Sequence, residues 1–150
     1  MRIIAGKLRG STLCMPKNKN IRPLKDMARE SIFNLLAHSN KIPLRIELSN
    51  VLDLYAGTGS FGLECLSRQA RRVYFVENGK FAYETLNKNI NKLKIKKKTK
   101  VFFNDVLALI EKQDFKLTKF DLIFCDPPFK DTSIKKLIEL IFHKNLLKKN

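Results

Sequence analysis

The sequence predicts an α/β protein on a parallel sheet covered on both faces, and three observations carry that expectation. From residue 50 onward, apolar runs of strand length alternate four times with helical patterns. The runs are near-continuously apolar, which is the pattern of strands buried on both sides. A glycine turn, Gly57-x-Gly59-x-x-Gly62, follows the first run and opens the next helix, the place where such a sheet takes a ligand.

One domain is expected over 1–150, with a basic hairpin and loop at 1–22, a helix at 23–40 and the sheet-bearing core at 50–150. RIIA and STLCM flank the turn K-L-R-G and read as a strand pair. In DMARESIFNLLAHS, Asp26 stands where a cap would, and Ile32, Leu35 and Leu36 repeat at i, i+3, i+4. The core then reads NVLDLY (strand), SFGLECLSRQ (helix), RVYFVE (strand), GKFAYETLNKNINKL (helix), KVFFND (strand), VLALIEKQ (helix), FDLIFCD (strand) and SIKKLIELIFHK (helix). The lysine run KIKKKTK falls between the second of these helices and the third strand, as a solvated turn.

Lys and Arg number 30 against 14 acidic residues, a net charge of +16. A polyanionic partner is the first expectation. Because 22 of the 30 are lysine, part of the excess can also be compositional bias. Residues 1–29 are denser than the average, with eight basic side chains against one acid. Three scattered cysteines, at 14, 65 and 125, indicate neither a disulfide framework nor a zinc site and suit a reducing cytoplasm. No metal is expected. The N-terminus lacks the apolar core of a signal peptide, and no run reaches membrane-spanning length.

The chemistry is read from the strand ends. The first strand carries Asp53, the second ends at Glu77, the third at Asn104 and Asp105, and the fourth at Asp126, followed by Pro127, Pro128 and Phe129. Four polar ends on one rim exceed what structure alone asks for. G-x-G-x-x-G is by itself a dinucleotide fingerprint, and Glu77, 18 residues past Gly59, is placed for the vicinal hydroxyls of a ribose. Asp53 at the mouth of the turn would repel a pyrophosphate and attract a cation. S-adenosylmethionine, with its ammonium, sulfonium, ribose and adenine, fits that demand; Asp105 is placed for the adenine amino group. In D-P-P-F the prolines stiffen the backbone and aim carbonyls outward. Asp126 and the Pro127 carbonyl can then accept from an exocyclic amine, whose nitrogen lone pair is freed for the methyl, while Phe129 stacks on the base.

Together, RIIAGKLRG, IRPLKDMARESIFNLL, VLDLYAGTGSFGLECLSRQA and FCDPPF resemble the RsmD-like methyltransferases, which modify a guanine 2-amino group in 16S ribosomal RNA. The resemblance implies the class I S-adenosylmethionine-dependent fold, Rossmann-like and here C-terminally shortened. It implies cofactor contacts at Asp53, Tyr55, Gly57, Gly59, Glu77, Asn104 and Asp105, and a catalytic set of Asp126, Pro127, Pro128 and Phe129. It also implies RNA contacts at Arg2, Lys7, Arg9 and Arg22, ribosomal RNA or an assembling small subunit as partner, and no membrane. The family pattern R-P-T-x-D-R is here Arg22-Pro23-Leu24-Lys25-Asp26-Met27, without the hydroxyl and the last basic residue. The family also continues with further strands, so FDLIFCD is expected to be an uncovered edge, in a fragment or a degenerate product. A DNA amino-methyltransferase and a non-catalytic RNA-binding remnant are the alternatives.

Overall fold

A computed structural model describes residues 1–16, 26–39, 42, 44–112 and 118–149. The predicted alternation is present. After α1 (Asp26–His38) come β1 (Asn50–Leu54), α2 (Ser60–Ser67), β2 (Arg72–Glu77), α3 (Lys80–Lys92), β3 (Thr99–Phe103), α4 (Val106–Lys112), β4 (Leu122–Cys125) and α5 (Ile134–His143). The strands run parallel in the order β3-β2-β1-β4, as doubly wound sheets of the 3-2-1-4-5-6 kind begin. The winding reverses between β1 and β4, which places the ligand crevice beyond their carboxyl ends. The lysine run forms a short, exposed 3₁₀ turn, Lys96–Lys98.

Strand side chains alternate between two apolar layers, as a period of two requires. Val51, Val73 and Phe75 pack with Phe33, Phe61, Leu86 and Ile90 of α1, α2 and α3, whereas Leu52, Leu54, Tyr74 and Val76 pack with residues of α4 and α5. Phe61 stacks between Phe33 and Phe124, with centroids 5.0 and 3.7 Å away. By the same alternation Asp53 falls on the α2 side, 1% exposed.

The N-terminal strand pair is present in reduced form. Ile3 N–H donates to the Ser11 carbonyl at 3.0 Å and Leu13 N–H to that of Met1 at 2.9 Å, around a single antiparallel bridge, Arg2–Thr12. Its anchor is the fully buried Glu64 of α2, whose carboxylate accepts from the N–H groups of Ile4 (2.8 Å) and Ala5 (2.9 Å) and from Arg68 Nε (3.0 Å). Buried Arg29 lies 3.9 Å from the same carboxylate. Removing one partner of a buried ion pair costs about 3–5 kcal/mol, so hairpin, α1 and α2 hold together through side chains that a sequence reads as surface.

Two expectations for α1 are corrected. Its inward face is centred on Arg29 and Phe33 rather than on Leu35, which is 63% exposed. Asp26 lies inside the first turn and turns its carboxylate to Arg29 at 2.9 Å. The parts of the expected helix at 23–25 and 40 lie outside the described residues.

The outer edge of β4 is only partly uncovered. Phe120, just before β4, forms a parallel bridge with Leu147, with Phe120 N–H donating to Leu146 at 2.8 Å and Lys148 N–H to Phe120 at 2.9 Å. Beyond that entrance β4 pairs only with β1 among the described residues. Leu122–Cys125 stay half-buried where Val51–Leu54 are sealed.

Candidate active site

Four strand ends and two loops line the candidate site. Asp53 Oδ2 accepts from the Gly62 N–H at 3.0 Å inside the α2–β1 contact. Burial pushes the Asp53 carboxyl up to about 7; the Gly62 bond opposes this, and the charges of Glu77 and Asp126 add to it. The carboxylates of β2 and of the end of β4 thus act on the buried one of β1, with no cation among the described residues to balance it. The Asp53 ion is costly as it stands, and a positive ligand would relieve it.

Glu77 is the second anchor. Its Oε2 accepts from the Gly57 N–H at 2.7 Å and its Oε1 from the Gly79 N–H at 2.6 Å. Each oxygen retains acceptor capacity, so Glu77 fixes the glycine turn and can still receive hydroxyl donors. The glycines divide the work. A Cβ on Gly59 would lie 2.3 Å from Leu86 Cδ1 and one on Gly62 2.3 Å from Phe75 Cε1, so these two permit packing; one on Gly57, at φ +57°, would meet open space. Of the three glycines of this turn, Gly57 is the one with open space where its side chain would be.

Asn104 and Asp105 follow β3. The Asn104 N–H donates to the Glu77 carbonyl at 3.2 Å. Asp105 Oδ1 caps α4 through the Ala108 N–H at 2.9 Å, a helix-start role that the reading of Asp105 as a ligand contact did not include. Both side chains are exposed on the rim.

D-P-P-F leaves β4 in a turn closed by the Asp131 N–H donating to the Pro128 carbonyl at 2.8 Å. This corrects part of the expectation, since the Pro128 carbonyl is spent within the turn, while that of Pro127 makes no backbone bond among the described residues. Phe129 is 105% exposed. The turn holds its ring clear of the core, available to a flat ligand. Asp126 is exposed at the adjoining strand end.

Tyr55 follows β1 with φ 58°, a region that costs a bulky residue about 1–2 kcal/mol. Its hydroxyl does not lie free for a ligand. It donates to Asp131 Oδ2 at 2.9 Å, and burial together with that carboxylate pushes the phenol up to about 12. Asp131 and Ser133 were not singled out in the sequence; the only signal was the D-T-S string, an Asx-turn pattern before α5. Asn89, also unforeseen, ties Cys14 to the glycine turn through its contacts to the Cys14 N–H (2.7 Å) and the Thr58 carbonyl (3.1 Å).

Arg2, Lys7 and Arg9 are exposed on the hairpin. Arg2 and Arg9 border a polar cavity of about 260 Å³ that Asp26 and Glu30 also line. Arg22 lies outside the described residues. The described residues hold no group of three or more side chains able to bind a metal, and none of their helices is long and apolar enough to cross a membrane.

Strand order and the glycine turn define a class I methyltransferase fold, shared with solved proteins described as a candidate methyltransferase and a candidate methylase. The chain belongs to the family described as Conserved hypothetical protein 95, whose model matches residues 1–150. It is 37% identical over 150 residues to the ribosomal RNA small subunit methyltransferase D of Haemophilus influenzae, covering 100% of this chain and 75% of that protein. To the protein of the same name from Escherichia coli K12 it is 34% identical over 141 residues, 94% of this chain and 66% of the other. A solved Escherichia coli protein described as a candidate methyltransferase superposes with a TM-score of 0.83 at 32% identity, covering 99% of this chain and 75% of that one.

Proposed function

We propose that the protein transfers a methyl group from S-adenosylmethionine to the exocyclic 2-amino group of a guanine in small-subunit ribosomal RNA. The observation that carries this is the juxtaposition of a buried, unbalanced Asp53 and the Glu77-braced glycine turn with Asp126 and a free Phe129 across the β1–β4 crevice. The bound cofactor would supply a methyl group on a positively charged sulfur. Asp53 would favour the positive end, Glu77 would receive the ribose hydroxyls and Asp105 would take the adenine amino group. Asp126 and the Pro127 carbonyl accept hydrogens from the amine, so that its lone pair points at the methyl; Phe129 holds the base by stacking. Proton loss would follow methyl transfer, with the Asp126 carboxylate as the acceptor. The names carried by the relatives support ribosomal RNA as the substrate class, and the basic hairpin supports a polyanionic one.

The test is transfer of labelled methyl from S-adenosylmethionine to small-subunit RNA, free and in partly assembled subunits, followed by digestion and mass spectrometry. N2-methylguanosine is expected, and Phe129→Ala should lose about 1–3 kcal/mol of base binding. Methylated adenine in DNA, or no cofactor binding at all, would refute the assignment.

A further inference from the structure

The turn carrying Phe129 is tied to the glycine loop through one side chain. Asp131 Oδ1 accepts from both the N–H (2.7 Å) and the Oγ (2.6 Å) of Ser133, which fixes the carboxylate. Its Oδ2 accepts from the Tyr55 hydroxyl at 2.9 Å, and its own N–H closes the turn on Pro128. Tyr55 in turn leads directly from β1 into Ala56 and Gly57, in a left-handed conformation that its surroundings must enforce. The two loops that meet at the switch point leave different strands, and this phenol–carboxylate bond joins residues 76 positions apart.

We propose that Asp131 is a positioning residue that, by holding Tyr55, sets the D-P-P-F turn at a fixed distance from the glycine loop. This rests on the methyltransferase reading above. The physical reason is that transfer between two bound groups depends on their alignment, and a displacement of about 1 Å costs on the order of 100-fold in rate. With Phe129 fully exposed and Asp126 at an open strand end, little else among the described residues restrains the turn from the solvent side. Burial of Phe129 is not available to hold it. Neither Asp131 nor the Tyr55 hydroxyl needs to touch the cofactor or the base, so their loss should appear in the transfer step and not in cofactor affinity.

The experiment is a double-mutant cycle on the full chain: parent, Asp131→Ala, Tyr55→Phe and the double variant. S-adenosylmethionine affinity is measured by calorimetry, melting temperature by calorimetric scan, and kcat with small-subunit RNA. Tyr55→Phe keeps the ring in place and removes only the hydroxyl. Each single variant should lower kcat roughly 10- to 100-fold with cofactor Kd within about twofold of the parent, and the double should be no slower than the slower single. Three results would overturn the inference alone: kcat within twofold of the parent in Asp131→Ala, loss of cofactor affinity in step with kcat, or losses that multiply in the double. A parent that binds no S-adenosylmethionine and transfers no methyl group overturns the functional reading, and the inference falls with it.

Discussion

Asp53 makes folding stability depend on pH in a direction opposite to that of an ordinary salt-bridged carboxylate. Its ordinary value is 3.8 and its value in the folded protein is about 7. Between these two, the folded state holds a proton that the unfolded state has released. Stability therefore falls as pH rises from about 4 to about 7 and levels off above, at up to ~1.4 kcal/mol per pH unit. Over roughly three pH units the loss is on the order of 4 kcal/mol, a large share of the 5–15 kcal/mol typical of a domain. Asp53→Asn removes the titration and keeps an oxygen for the Gly62 N–H. The assay is urea unfolding of parent and variant at pH 4.5, 6 and 8, read as the difference between them so that groups common to both cancel. The variant should gain on the parent by several kcal/mol as pH rises, chiefly before pH 7. A difference constant to within about 1 kcal/mol across that range would show that Asp53 ionises freely, and the argument for a cation-seeking site would fail.

Proton linkage should extend to the ligand. At pH 6, binding of S-adenosylmethionine should release close to one proton as Asp53 ionises beside the positive charge, seen as a binding enthalpy that differs between phosphate and imidazole buffers; no release, or release retained in Asp53→Asn, would contradict this. Gly59→Ala should destabilise by about 2–4 kcal/mol, since it joins a φ of +83° to a Cβ 2.3 Å from Leu86. Gly57→Ala, with φ +57° and open space, should cost about 1 kcal/mol in denaturant unfolding yet weaken cofactor binding more than Gly59→Ala does; the opposite ranking would remove Gly57 from the site. Replacing Arg2, Lys7 and Arg9 together should flatten the dependence of log K for RNA on log salt by roughly 2 to 3, while replacing Lys94, Lys96, Lys97 and Lys98 should change it less, and the reverse would assign the RNA contact to the lysine turn.

What the sequence discloses and what it withholds divide along a physical line. The strands and their order of use were legible because burial on both faces leaves a continuous apolar run, and the carboxylates that interrupt or end such runs stand out against it. Asp53, Glu77 and Asp126 were singled out that way. Phe129 was legible for a related reason: two prolines ahead of it remove the backbone donors that would draw it into a ladder. The missed interactions that hold the hairpin and the strand-end loops in place join residues far apart in the chain through polar side chains on helices or turns. Glu64 meets the backbone of Ile4 and Ala5 across 60 and 59 positions, Asn89 meets Cys14 across 75, and Tyr55 meets Asp131 across 76. On a linear sequence each is an ordinary polar residue on a helix or in a loop, and only the packed layers give it a partner.

That division bears on how the site works. The residues legible in the sequence are those that the proposed function assigns to a ligand, and they stand at or beside the carboxyl ends of the strands. The residues that were not legible fix the loops on which the first group stands. Glu64 and Arg29 hold the hairpin to α2, Asn89 holds it to the glycine turn, and Asp131 holds the D-P-P-F turn to Tyr55. Because α2 begins one residue after Gly59 and contributes the Gly62 N–H to Asp53, a pull on the basic hairpin through Glu64 reaches the same helix that binds the Asp53 carboxylate. A polyanion held by Arg2 and Arg9 would therefore bear on the element that shapes the cofactor side, and loosening Glu64 should weaken cofactor and RNA binding together, whereas loosening Asp131 should leave both intact and slow the transfer alone.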